Sequence, residues 1–398
     1  MDFIFMKVGG LSLFLWREFM NRRFGELDSI RGLAAVTVVL SHSITISGLV
    51  APGTNFASIF NMIIVNSPLK ILLLGHEAVI LFFILSGFVL SLSYYRNANQ
   101  TYFSYIIRRF CRIYIPYLCA ILCGILMRIS FSKDIFPELW NTHIDWGVIL
   151  NHIFLLGMFN QNAFDPVVWS LVHEMRISII FPFLILLINK FHWKVNIVFG
   201  VICSLLGISL HYLFKNKLDL YTNYYDSMHY ILMFTVGALL AKYSLDLIKI
   251  YQTKSTWIKF LFFVSGLCFY IYSRAVVMRF LDDSLLITLV SDWGTMIGGA
   301  IIIITSIAEK RASKILLIKP ISYIGKTSYS IYLYHLIIFL TLKNLLNGML
   351  SNWLIWLLGM LFSLLVSTIM YFIIEEPSIS IGKKLTKVKF GNGNKSVA

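Results

Sequence analysis

The sequence predicts an all-α polytopic membrane protein with about ten transmembrane helices. Three observations predict it. First, of 398 residues 58% are hydrophobic and only 13% charged, with a mean hydropathy of +0.78, whereas soluble domains are about a quarter charged. Second, apolar runs long enough to span a bilayer recur along the whole chain. Third, lysine and arginine segregate into alternate connections, as the positive-inside rule requires.

The apolar segments run over 32–50, 78–95, 113–130, 168–188, 195–214, 228–243, 258–274, 284–306, 328–345 and 353–374. The 59–74 stretch is apolar but broken by Asn66, Pro68 and Lys70, and reads as a loop or re-entrant piece. The 147–159 stretch is too short to span. With the N-terminus inside, the inner connections hold 25 of the 34 basic residues and the outer ones 8, with Arg176 inside a span. That contrast predicts both termini on the cytoplasmic side. Residues 1–24 form a short apolar, interfacial segment without an A-x-A-like cleavage site. The transmembrane domain covers 25–380. Residues 381–398, with Lys383, Lys384, Lys387 and Lys389, read as a basic cytoplasmic tail, with no appended soluble domain.

A net charge of +15 could point to nucleic acid. In a chain this apolar, cytoplasmic loops account for it, and no nucleic acid is expected. Cys111, Cys119, Cys123, Cys203 and Cys268 fall in or beside apolar segments and form no CxxC pair, so no disulfide framework is expected. Cys119 and Cys123 share a helix face; helix packing is favoured over a metal site there. No Walker or zinc motif and no internal repeat is present, and no metal is expected.

The polar groups inside the apolar chain carry the chemistry, because ionisable side chains in lipid are costly. In LDSIRGLAAVTVVLSH, Arg31 and His42 are 11 residues apart. On a helix that is three turns plus about 20°, so both lie on one face, about 16 Å apart along the axis. Asp28 makes either a helix-end ion pair or an anion-side contact. His42 is suited to accept a proton near neutral pH. His76 and Glu77 open the second span near its outer face, as a solvated pair or as site residues. Ser86 and Gly87 predict a close helix contact. Arg108, Arg109 and Arg112, in RRFCRIYIPY, share a helix face and are either positive-inside residues or a phosphate clamp. The fourth span, WSLVHEMRISIIFPFLILL, holds His173, Glu174 and Arg176. Glu174 and Arg176 cannot pair along the helix, so each needs a partner elsewhere, and His42 is a candidate. Ser328, Tyr329, Tyr332 and His335 form a polar stripe on the ninth span that lines a cavity or bonds a neighbouring helix. Glu375 and Glu376 stop the tenth span and close its inner face.

Together these stretches resemble the acyltransferase 3 family of membrane acyltransferases, over about residues 25 to 385. LDSIRGLAAVTVVLSH resembles its Arg-x10-His segment and AVILFFILSGFVLS its FFxLSGF segment; RRFCRIYIPY, WSLVHEM, TSYSIYLYH and IEEP follow in family order. Ala78 stands where many members have Gly, and Ile177 and Ser178 where many have Phe-Tyr. A frequent Arg ahead of FxxG has no counterpart before Phe234 and Gly237, where His229 or Tyr230 stands near.

The resemblance implies transfer of an acyl group, most often acetyl, from a cytoplasmic acyl-CoA such as acetyl-CoA to a hydroxyl of a carbohydrate or lipid-linked glycan at the cell surface. That makes the chain a multi-pass protein of the cytoplasmic membrane, with membrane lipid around it and no tightly bound cofactor. Carried over, His42, Glu174 and Arg31 are the catalytic group and Arg108, Arg109 and Arg112 meet the CoA phosphates. Asp28, His173, Arg176, Tyr332 and His335 are expected around the substrate cavity. A flippase or transporter of a glycan or lipid, and a non-catalytic assembly partner, are the competing readings.

Overall fold

The computed structural model describes residues 22–50, 60–65, 67–96, 100–133, 135–136, 138–140, 143–214 and 221–386. The expected interfacial segment lies outside these residues up to 21, as does the basic tail beyond 386. Among the described residues the chain is built of helices, without a β-strand. In order they are α1 (Gly25–Ser47), α2 (Gly75–Arg96), α3 (Tyr102–Phe131), α4 (Trp146–Ile153), α5 (Trp169–Lys190), α6 (Trp193–Phe214), α7 (Tyr224–Lys242), α8 (Ser244–Gln252), α9 (Thr256–Val277), α10 (Ser284–Ala308), α11 (Lys310–Leu316), α12 (Lys319–Leu346), α13 (Asn352–Met370) and α14 (Glu376–Leu385). Nine described helical stretches are long and apolar enough to cross a membrane, and α7 with α8, bent by 68°, makes a tenth. The protein is an all-α polytopic membrane protein. Among the described residues the 59–74 stretch holds two short helical turns, Asn61–Val65 and Pro68–Leu73, and α4 is eight residues long. Neither spans.

Several helices begin before the apolar run that marks them. α1 begins at Gly25, α3 at Tyr102 and α12 at Lys319, against 32, 113 and 328. Hydropathy stops at the first charge, but backbone hydrogen bonding does not. Thr101 caps α3, its hydroxyl accepting the Ser104 amide at 3.2 Å. Asp28, Arg31, Arg108, Arg109, Arg112 and Lys326 therefore stand on rigid helices. At the other end, Glu375 and Glu376 do not terminate the last span. A π-helical turn, Tyr371–Glu375, carries it into α14, with Pro377 in that helix's first turn. Pro116 lies inside α3 without ending it.

The core is the parallel pair α1 and α12, with α2, α3, α5 and α7 packed around it. Their approach is set by glycine. A Cβ at Gly32 would lie 2.5 Å from the Gly325 amide nitrogen, and one at Gly325 would lie 2.5 Å from the Asp28 carbonyl oxygen. Only hydrogen fits there, so the two backbones touch, the small-residue contact typical of membrane helices. α2 and α7 cross in the same way, with Gly87 on the Phe234 backbone and Gly237 on Ile84. The close contact expected at Ser86 and Gly87 is made by Gly87; Ser86 is left for polar work.

Candidate active site

One stripe of α2 lines a cavity: Val79, Phe82, Phe83, Ser86, Val89, Leu92 and Arg96. Positions 79 to 96 span about 25 Å of helix axis at about 1.5 Å per residue. The cavity measures about 790 Å³. Its end beside Arg96 is basic, with Arg23, Arg31, Arg96, Arg112, Lys326 and Lys383 against Asp28 and Glu376. Asp28 pairs with both Arg23 (3.3 Å) and Arg31 (3.4 Å), so of its two expected roles the ion pair is the one seen. Arg112 is exposed within the cavity, in the field of Arg31 and Arg109. Arg108 turns away. Its Nε donates to the Thr386 hydroxyl at 2.6 Å, so the three arginines do not form a single clamp.

Midway along the cavity, Arg109 donates to Glu174 Oε1 at 3.0 Å and to the Ser178 hydroxyl at 2.7 Å, and Ser86 donates to the same carboxylate oxygen at 2.9 Å. The partner of Glu174 is therefore Arg109, not His42. Sequence spacing could not show this, because α3 and α5 meet through tertiary packing. Ser178, one of the departures from the family pattern, supplies the second acceptor for Arg109. Glu375 reaches inward from the π turn and accepts from Ser330 at 2.5 Å; π turns of this kind often mark functional sites.

The cavity closes at Ser170, Leu171, Phe82 and Tyr332. Tyr332 is held by the Ser170 hydroxyl at 2.7 Å and donates to the Val167 carbonyl at 3.0 Å. Phe82 stands edge-on to its ring, 5.6 Å between centroids. Of the polar stripe of α12, Ser328, Tyr329 and Tyr332 line the cavity, and Tyr329 also donates to the Ile113 carbonyl.

His335 lies one turn beyond Tyr332, with ring centroids 6.1 Å apart. It stands behind the closed end of the cavity rather than in its wall. His42 Nδ1 is 3.0 Å from His335 Nε2, and the rings are nearly coplanar at 4°. Hydrogen-bond chemistry assigns the protons. His335 Nδ1 faces the carbonyls of Tyr332 (2.9 Å) and Ile331 (3.1 Å), which only accept, so Nδ1 carries hydrogen. In the neutral ring its Nε2 is then bare and accepts from His42 Nδ1. His42 Nε2 is left with a free lone pair. A backbone carbonyl fixes His335, and His335 fixes His42.

His173 and Arg176 do not line this cavity. His173 is fully buried between the Ser227 hydroxyl (2.8 Å) and the Tyr221 carbonyl (2.9 Å). Arg176 donates to the carbonyls of Leu156, Gly157, Thr222 and Asn223 and to the Ser227 hydroxyl, and covers the Tyr224 ring. It ties two connections to α5, which satisfies an intramembrane guanidinium without any ligand. Arg176→Lys, with three donors instead of five, is expected to lower the melting temperature by several degrees. Thermal melting of the variant beside wild type checks this.

A family model described as an acyltransferase domain, acyltransferase 3, matches residues 24–372. The chain belongs to the acyltransferase 3 family. No curated protein and no solved structure matches it. An acyltransferase 3 protein needs an acyl donor, an acceptor and a membrane around it; the imidazole pair and most of the cavity wall of this member lie within the matched residues, with Arg23, Glu375, Glu376 and Lys383 outside them. Residues missed from sequence include Ser170 and Lys326. Both carry only weak signals, one a small polar residue at a helix start and the other a lysine beside a glycine.

Proposed function

We propose that the protein transfers an acetyl or similar short acyl group from a cytoplasmic acyl-CoA to a hydroxyl of a cell-surface glycan, acting in the cytoplasmic membrane. The observation that carries this reading is a deep cavity, basic at its mouth, that ends against an imidazole pair whose hydrogen bonds leave His42 Nε2 bare. The excess of lysine and arginine on one set of connections supports a basic mouth that faces the cytoplasm. Arg31 and Arg112, with Lys326 and Lys383 at the mouth, supply the fork-shaped and point charges that suit a nucleotide's phosphates. A cavity of about 25 Å accommodates an extended pantetheine arm, which brings the thioester to Phe82 and Tyr332.

Transfer then requires Tyr332 or Phe82 to swing aside, exposing the thioester carbonyl to the histidines. The acceptor hydroxyl attacks the carbonyl carbon and its proton passes to His42 Nε2. As the tetrahedral centre collapses the carbon–sulfur bond breaks, and the proton moves from His42 to the thiolate. The products are an ester and free CoA thiol, with no net proton change. His335 stabilises the transient imidazolium of His42 by accepting from its Nδ1–H. Glu174 holds Arg109 in the cavity wall and takes no part in proton transfer.

Purified protein in lipid nanodiscs, given radiolabelled acetyl-CoA and the unacetylated polysaccharide of a gene-deletion strain, tests this. One labelled ester should form per CoA thiol released. Arg112→Ala should raise the acetyl-CoA KM about tenfold, the worth of one charge-assisted contact. Acetyl-CoA that is neither bound nor consumed would exclude the reading.

A further inference from the structure

A second titratable cluster stands outside the donor cavity, at the end of the helices where α2 and α5 begin. Asp292 of α10 is 1% exposed within a membrane-spanning helix. A carboxylate there is costly unless it has a use. His76 Nε2 lies 2.7 Å from one of its oxygens and His229 Nε2 lies 3.2 Å from the other. Behind His229 the Trp293 indole donates to the Ser204 hydroxyl at 3.0 Å, and that hydroxyl is hydrogen-bonded to His229 Nδ1 at 2.7 Å. His229 carries hydrogen on Nε2 and donates it to Asp292. His76 must likewise donate through Nε2, because a carboxylate only accepts. Its Nδ1 is left over, on a side chain 29% exposed.

The two imidazoles differ in exposure. Here one is buried and the other emerges beside aromatic surface. The His76 ring stacks on Trp169, centroids 6.2 Å apart at 12°, and Trp169 adjoins Tyr221, which is 65% exposed. Trp169 immediately precedes Ser170, which holds the Tyr332 stop of the donor cavity. Gly75, immediately before His76, packs on Ser41, immediately before His42: a Cβ there would lie 3.2 Å from the Ser41 hydroxyl. The imidazole pair thus stands between the two regions. Asp292 and Glu77 beside His76 disfavour an anion, and Arg274 offsets part of their charge.

We propose that His76, Trp169 and Tyr221 form the acceptor subsite, taking a neutral sugar ring stacked on the aromatic faces with a hydroxyl donated to His76 Nδ1. Asp292 is a positioning residue that fixes the His76 ring, and His229 fixes Asp292. Ring stacking supplies apolar contact and the imidazole supplies orientation, the division of labour usual in small-ligand sites. This rests on the acyl-transfer reading above and adds where the acceptor enters.

The test uses the full-length protein in nanodiscs, acetyl-CoA as donor and the deletion strain's unacetylated polysaccharide as acceptor. His76→Gln and Trp169→Ala should each raise the polysaccharide KM about tenfold or more, with the acetyl-CoA KM within about twofold of wild type. Asp292→Asn should move in the same direction, and at saturating polysaccharide all three should recover most of their turnover. A scaffold would instead lower melting temperature and active fraction with both KM values unchanged, which would overturn the proposal. So would a rise in the acetyl-CoA KM alone. Should Asp292→Asn fail to accumulate, His76→Gln, which removes the part-exposed partner, carries the test. If wild type acetylates no polysaccharide while consuming acetyl-CoA, the glycan reading of function fails first, and that arm tells the two failures apart.

Discussion

His42→Ala is expected to lower the turnover of acyl transfer by about 10²–10⁴-fold, the usual worth of a positioned general base. The acetyl-CoA KM should stay within about twofold, because His42 lies behind the closed end of the cavity and touches none of its basic wall. His335→Ala should cost about 10–100-fold, the scale seen when a group that orients a working histidine is removed. Its effect is indirect: without the bare Nε2 of His335, the Nδ1 hydrogen of His42 has no fixed acceptor and the ring loses its tautomer. The double variant should be little slower than His42→Ala alone, since residues that act as a unit are not additive. Initial rates of thiol release for the four proteins decide this. Additive losses would mean that the two histidines act separately.

Gly32→Ala is expected to damage both the core and the site. The new Cβ would sit 2.5 Å from the backbone of Gly325, and backbone cannot rotate out of the way as a side chain can. α1 and α12 must then separate, at a cost of about 1–3 kcal/mol for overpacking of this kind. The same separation pulls His42 from His335, whose 3.0 Å contact depends on that register. Turnover should therefore fall more steeply than stability. Gly157→Ala is the control, since a Cβ there meets nothing within 4 Å. Melting temperature and turnover of the two variants, measured side by side, test the coupling. A Gly32→Ala protein with normal turnover would show that the helix contact does not set the dyad.

Much of the fold is legible in the sequence because a bilayer imposes it. Every backbone polar group must be satisfied within its own segment, so apolar length and basic asymmetry nearly determine the spans. The one-face spacing of Arg31 and His42 also carries over, since α1 is continuous from Gly25–Ser47. What spacing cannot give is which helix faces which. Glu174 meets Arg109 across α3 and α5, and His42 meets His335 across α1 and α12. Arg176 shows the same limit from the other side. An intramembrane arginine reads as functional, yet five backbone and hydroxyl acceptors account for it without a substrate. Asp292 gives no signal in the sequence, because a single aspartate in an apolar run carries no pattern. Its meaning lies in two histidines, 216 and 63 residues away in sequence.

The most direct test of acyl transfer through His42 is the acetyl content of the surface glycan, read by mass spectrometry, in cells lacking the gene. These cells would be complemented with wild type or His42→Ala at equal membrane abundance. Restoration of acetyl groups by wild type and not by His42→Ala is the predicted result. Full restoration by His42→Ala would contradict the assignment of the base, and an unchanged glycan in every strain would contradict a glycan acceptor.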